Sequence, residues 1–129
     1  MSANTHLLTR LAADQQGRFD ATTLPRTRKE RGHFGTAPAI ADFMAGMFME
    51  IPQEAVRILD PGAGVGALSA AVSQRVLEQL HPRQLIFELW ENDPRLQDGL
   101  QRTMAACRAA LKNAGHEMEF TVRTDDFVL

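Results

Sequence analysis

The chain has 129 residues with a formal net charge of −2, 44% hydrophobic and 23% charged residues. That is the size and balance of one soluble globular domain; no apolar run approaches a membrane span, and no global basic surplus marks a nucleic-acid binder. The start, "MSANTHLLTR", lacks a secretory pattern, and the lone Cys107 cannot form an internal disulfide, so a cytoplasmic setting is expected.

Leu7, Leu8, Leu11 and Ala12 recur at helical spacing, which predicts a short amphipathic helix over 5–16 that Gly17 ends. From Gly17 to Gly35 the chain is polar, broken by Pro25, and reads as an extended arm. Its "RTRKER" stretch sets Arg26, Arg28, Lys29 and Arg31 against one acid, Glu30, the densest positive cluster in the chain. Thr36 then precedes "APAIADFMAGMFM", with Ile40, Phe43, Met44, Met47 and Phe48 on one face and Pro38 near the first turn, so a helix capped by Thr36 is expected.

The β-branched run "AVRIL" predicts a strand ending at Asp60 and Pro61. The glycines of "DPGAGVG" follow, and helical periodicity returns over 66–80. "RQLIFELW" predicts a second strand, 93–115 a second such helix ended by Gly115 with Asn92 or Asp93 as cap, and "EFTVRT" a third strand. Helices between short strands imply a parallel sheet with right-handed crossovers, the α/β class. Ligands in such sheets bind at the carboxyl ends of the strands, where Asp60, Glu91 and Asp125 or Asp126 all fall.

Gly62, Gly64 and Gly66 allow the backbone to turn sharply and approach a ligand, and Gly62, Gly64 and Ala67 satisfy a relaxed G-x-G-x-x-A dinucleotide fingerprint. Two ligands compete: a pyrophosphate-bearing nucleotide and S-adenosylmethionine. Asp60 favours the second, because a carboxylate beside a pyrophosphate is repelled by about 1 to 4 kcal/mol, whereas beside an ammonium or sulfonium it attracts. Pro61 also removes one of the N–H donors on which a phosphate cradle depends. Glu91 suits a ribose through its two hydroxyls, and Trp90 beside it offers an aromatic face for adenine. Asp125 or Asp126 can accept from the adenine amine, with Phe127 as an apolar wall. Cys107 is expected to be a small core residue. His6, His33, His81 and His116 lack ligand spacing, so no metal site is expected.

"RKERGHFGTAPAIADFMAGMF" followed by "RILDPGAGVGALSAA" and "FELWENDP" resembles the N-terminal part of adenine-specific DNA methyltransferases of the Eco57I-like (gamma-class) restriction-modification type, over roughly residues 26 to 128. Gly32, His33, Phe34, Gly35, Thr36, Ala37, Pro38, Ala39, Ile40 and Ala41 follow the pattern of their "GQFFTPPEIA"-like segment, with Gly35 where the family usually has an aromatic and Ala37 where it usually has proline. The resemblance implies a partial Rossmann-like fold that binds S-adenosylmethionine. A helix and basic arm over 1–35 would precede the cofactor-binding half over 36–129. Thr36 and Pro38 would lie at the methionine carboxylate; Asp60, Pro61, Gly62, Ala63, Gly64 and Gly66 would hold the amino-acid part. Glu91 and Asn92 would meet the ribose, and Asp125, Asp126 and Phe127 the adenine. Such enzymes act on double-stranded DNA and position a flipped adenine with an Asn-Pro-Pro-Tyr motif. Prolines 25, 38, 52, 61, 82 and 94 are never adjacent, so no catalytic residue is assigned and the chain alone is expected not to methylate DNA. The alternatives are a noncatalytic scaffold or remnant, and a fragment of a nucleotide-dependent oxidoreductase.

Overall fold

A computed structural model describes residues 7–22, 55–78 and 83–125 of the chain. Six elements follow one another: α1 (Leu7–Thr22), β1 (Ala55–Asp60), α2 (Ala67–Leu77), β2 (Gln84–Trp90), α3 (Pro94–Asn113) and β3 (Glu117–Arg123). The three strands form a wholly parallel sheet in the order β1-β2-β3. Stepping twice in the same direction with right-handed crossovers puts both connecting helices on one face. The architecture is α/β, a parallel sheet flanked by helices, compatible with part of a Rossmann-like methyltransferase fold.

The register decides which side chains meet those helices. Val56 pairs with Leu85, Ile58 with Phe87 and Asp60 with Leu89, while Leu85, Phe87 and Leu89 pair with Met118, Phe120 and Val122. Because strand side chains alternate, these nine residues share the covered face. Leu85, Phe87, Leu89 and Met118 are fully buried there, each large apolar side chain contributing about 1.5 to 3 kcal/mol. Asp60 is the one charged residue of that set, at its carboxyl end. From above, α3 supplies Leu96, Leu100, Met104, Cys107 and Leu111, a stripe that recurs at turns of 3.6 residues. Cys107 is a core residue, as its setting in the sequence suggests.

Local chemistry sets the helix ends. Asp93 is the N-cap of α3, accepting from the Arg95 N–H, and Pro94 fills the first helical position, where no N–H is needed. At the other end Gly115, at φ +90°, turns the chain so that its N–H reaches the Lys112 carbonyl and that of His116 the Leu111 carbonyl. His116 Nδ1 then accepts from the Arg83 N–H at 3.0 Å, tying the starts of β2 and β3.

Several boundaries differ from those read in the sequence, two of them by three residues or more. Helix α1 runs through Gly17 to Thr22, because an exposed helical glycine costs only about 1 kcal/mol and the extra turn buries Phe19. Helix α2 stops at Leu77 rather than at residue 80, with the Glu78 N–H closing onto the Arg75 carbonyl in a tightened last turn. Helix α1 packs on α2 and α3, with Leu8 and Ala12 in the main core, and its Leu8 N–H donates to Gln74 Oε1 at 3.0 Å. The helix expected after Thr36 and the "RTRKER" stretch lie outside the described residues. No helix among the described residues is long and apolar enough to cross a membrane.

Candidate functional site at the glycine loop

The loop between β1 and α2 leaves the sheet at Asp60 and re-enters regular structure at Ala67. Gly64 (φ +58°) and Gly66 (φ +88°) occupy left-handed backbone that side chains disfavour. Gly66 is constrained twice, since a Cβ there would sit 3.1 Å from Leu100 Cδ1 and 3.2 Å from Thr103 Cγ2. The loop therefore rests directly on α3.

The destinations of its N–H groups define the site. The Gly62 N–H donates to the Asp60 carboxylate, and the Ala63 N–H to the Trp90 carbonyl at 3.0 Å. The Gly64 N–H donates to Glu91 Oε1 at 2.9 Å, and the Gly66 N–H to the Ala63 carbonyl at 2.8 Å. Four of the donors that a phosphate-cradling loop would present to its ligand are thus consumed internally, two of them by carboxylates.

Asp60 is 9% exposed. Burial pushes its pKa above the ordinary aspartate value, an effect opposed by the Ser69 hydroxyl, 3.0 Å from Oδ2, and by the Gly62 N–H, and reinforced by the negative charge of Glu91. Glu91 is equally buried, its Oε2 accepting from the Asp93 N–H at 2.9 Å. Its own backbone is held as well: the N–H donates to the Arg123 carbonyl and the carbonyl accepts from Gln97 Nε2. Among the described residues, no Lys, Arg or His forms an ion pair with Asp60 or Glu91. Two neighbouring carboxylates that no cation among the described residues pairs with make this edge of the sheet complementary to a positively charged ligand.

The structure brings Asp60, Ala63, Gly64, Gly66 and Glu91 together at one sheet edge, where the Gly64 N–H donates to Glu91, the Gly66 N–H to the Ala63 carbonyl and the Gly62 N–H to Asp60, with Pro61 and Gly62 exposed at the rim. Asn92 lies on the exposed turn between Glu91 and Asp93. Asp125 is exposed two residues beyond β3, on the same edge and outside the loop's hydrogen bonds. Trp90 faces the other side of the sheet, with the Arg123 guanidinium 5.4 Å from its ring centre. Thr36, Pro38, Asp126 and Phe127 lie outside the described residues.

Sequence reasoning missed Ser69, the hydroxyl that holds Asp60. Its position in the first turn after the glycines, among small apolar residues, was the available signal. It missed Gln97 and the apolar cluster of Phe19, Val65 and Leu96 behind the loop as well. Among the described residues no group of three or more His, Cys, Asp or Glu is arranged to hold a metal.

Comparison with known proteins gives one relative to set beside this geometry. Over 113 residues, 88% of this chain, the sequence is 28% identical to the type II methyltransferase M.BsuBI of Bacillus subtilis. The match covers 21% of that protein, so the chain spans about a fifth of its length. No protein-family model matches, and no solved structure matches. Across most of its length, the chain is related to a methyltransferase.

Proposed function

We propose that the chain is the S-adenosylmethionine-binding segment of a DNA adenine-N6 methyltransferase. The observation that carries this reading is the inward turn of four of the loop's N–H groups onto Asp60, Trp90, Glu91 and Ala63, which takes those donors away from a ligand and sets two carboxylates at the site. A dinucleotide needs the reverse arrangement. A ligand with an ammonium and a sulfonium gains from two carboxylates what a pyrophosphate would lose. The similarity to a type II methyltransferase over most of this chain supports the same class.

When bound, the cofactor would supply an electrophilic methyl group on sulfonium sulfur. The residues present would hold it. Asp60 and the backbone of 61–66 would take the amino-acid part, and Glu91 and Asn92 the ribose. Asp125, Asp126 and Phe127 would stand toward the adenine, and Thr36 and Pro38 toward the carboxylate. Adenine-N6 as the acceptor, with double-stranded DNA as the substrate, rests on the resemblance of the 32–41 segment and its order before the glycine loop. The groups that would present the target base are not among the 129 residues, which contain no Pro-Pro pair.

Calorimetric titration of the chain with S-adenosylmethionine, S-adenosylhomocysteine and NAD tests the ligand class. Binding of the first two and not of NAD is expected. NAD binding alone would replace this reading with the oxidoreductase one, and no binding by any of the three would favour a scaffold. A longer protein that carries this segment should leave its methyl on N6 of adenine, read by mass spectrometry of digested DNA; methylcytosine would refute the adenine assignment.

A further inference from the structure

We propose that helix α1 is a buttress of the ligand-binding loop, with Phe19 and Arg95 as positioning residues that fix the conformation of the loop from behind. The inference rests on the reading of that loop as the cofactor site, and extends it to an element that carries none of the site's own residues.

Two routes lead from α1 to the loop. The first is apolar. Phe19, 5% exposed, forms a buried cluster with Val65 of the loop and Leu96 of α3, separate from the main core. The packing there is close: a Cβ at Gly99 would lie 3.3 Å from Val65 Cγ1 and 3.2 Å from Gln15 Cβ, so loop, α1 and α3 meet at one point. Val65 stands between Gly64 and Gly66, the two left-handed residues, and its side chain is the grip by which the interior holds that turn.

The second route is polar. The Arg95 guanidinium lies 5.6 Å from the centre of the Phe19 ring and grips Asp93 through Nη2 to Oδ2 at 2.9 Å and Nε to Oδ1 at 3.2 Å. The Asp93 N–H in turn donates to Glu91 Oε2, and Glu91 Oε1 accepts from the Gly64 N–H. Each contact fixes the next, from a ring on α1 to the amide of the central glycine. A carboxylate held from both sides cannot swing out of the site, and a loop held at Val65 and Gly64 cannot close over it.

The test compares two truncations on one helix in the full chain. Phe19→Ala removes the loop contact, whereas Leu8→Ala removes a core side chain near the other end of α1; urea unfolding matches the two for global stability. Phe19→Ala is expected to weaken S-adenosylmethionine binding about tenfold and to speed hydrogen exchange at the Gly64 amide by a similar factor, and Leu8→Ala to do neither at equal stability. Phe19→Leu should restore most of both. Arg95→Gln, on a half-exposed side chain, tests the polar route without cutting into the core and should also speed exchange at Gly64. Equal effects of Phe19→Ala and Leu8→Ala, or unchanged Gly64 exchange in both Phe19→Ala and Arg95→Gln, would overturn the proposal. If the wild-type chain binds no S-adenosylmethionine, the reading of the site fails, but the exchange rates, measured without ligand, still decide the buttress.

Discussion

Replacing Asp60 with Asn should separate what the site does for stability from what it does for binding. The side chain keeps its size, and the amide oxygen can still accept from Ser69 Oγ or from the Gly62 N–H. What disappears is a charge that burial penalises and that the charge of Glu91 penalises further. Loss of charge-assisted hydrogen bonds and relief of desolvation oppose each other, so the net change in unfolding free energy at pH 7 should stay within about 1 kcal/mol. The pH dependence carries the sign. A carboxyl whose folded pKa is raised contributes stability that is complete below its unfolded value of 3.8 and is lost as pH rises through the folded pKa. Urea titrations should therefore show wild type gaining on Asp60→Asn as pH falls toward 4. Binding should respond differently: a buried charge-assisted contact is worth about 1.5 to 3 kcal/mol, so S-adenosylmethionine affinity should fall roughly 10- to 150-fold in calorimetry. A variant that binds as tightly as wild type, or a wild type that loses stability relative to the variant as pH falls toward 4, would refute the reasoning.

Gly66→Ala should cost about 1 to 3 kcal/mol in urea unfolding, from left-handed backbone and contact with Leu100 and Thr103. Gly62→Ala, whose Cβ would point into open space, should stay within about 0.5 kcal/mol. Burial pushes the Cys107 thiol up to about 12, so at pH 8 it should resist a disulfide reagent in the folded protein and react once urea is added. His116 is held neutral by burial and by the nearby Arg83, and its lone pair accepts the Arg83 N–H. Its contribution is present above about 6.5 and lost as pH falls through the lowered folded pKa; the unfolding midpoint should decline from pH 7 to 5, and less so in His116→Gln.

The sequence carried the strand ends because each is a short apolar run closed by an acid: Asp60 and Glu91 stand out at the places where regular patterning stops. It also narrowed the cap to Asn92 or Asp93 and carried the stop at Gly115, since both are local chemistry. What it could not carry was the partner of Glu91. That the carboxylate reaches the Gly64 amide depends on Asp60 pairing with Leu89, a register fixed by distant contacts. The length of α1 was obscured differently. Gly17 looked like a stop, yet Leu8, Ala12 and Phe19 continue one buried face beyond it, and the penalty of one exposed glycine is smaller than the gain from a buried ring. The side taken by Trp90 was within reach, because strand alternation puts it opposite Leu89 and against Arg123.

The central claim, that this loop holds a cation and not a phosphate, is tested most directly by following its amides in nuclear magnetic resonance during titration. Addition of S-adenosylmethionine should shift the resonances of Gly62, Ala63, Gly64, Glu91 and Asn92, while pyrophosphate at the same concentration leaves them in place. Shifts of the glycine amides with pyrophosphate and none with S-adenosylmethionine would contradict the account.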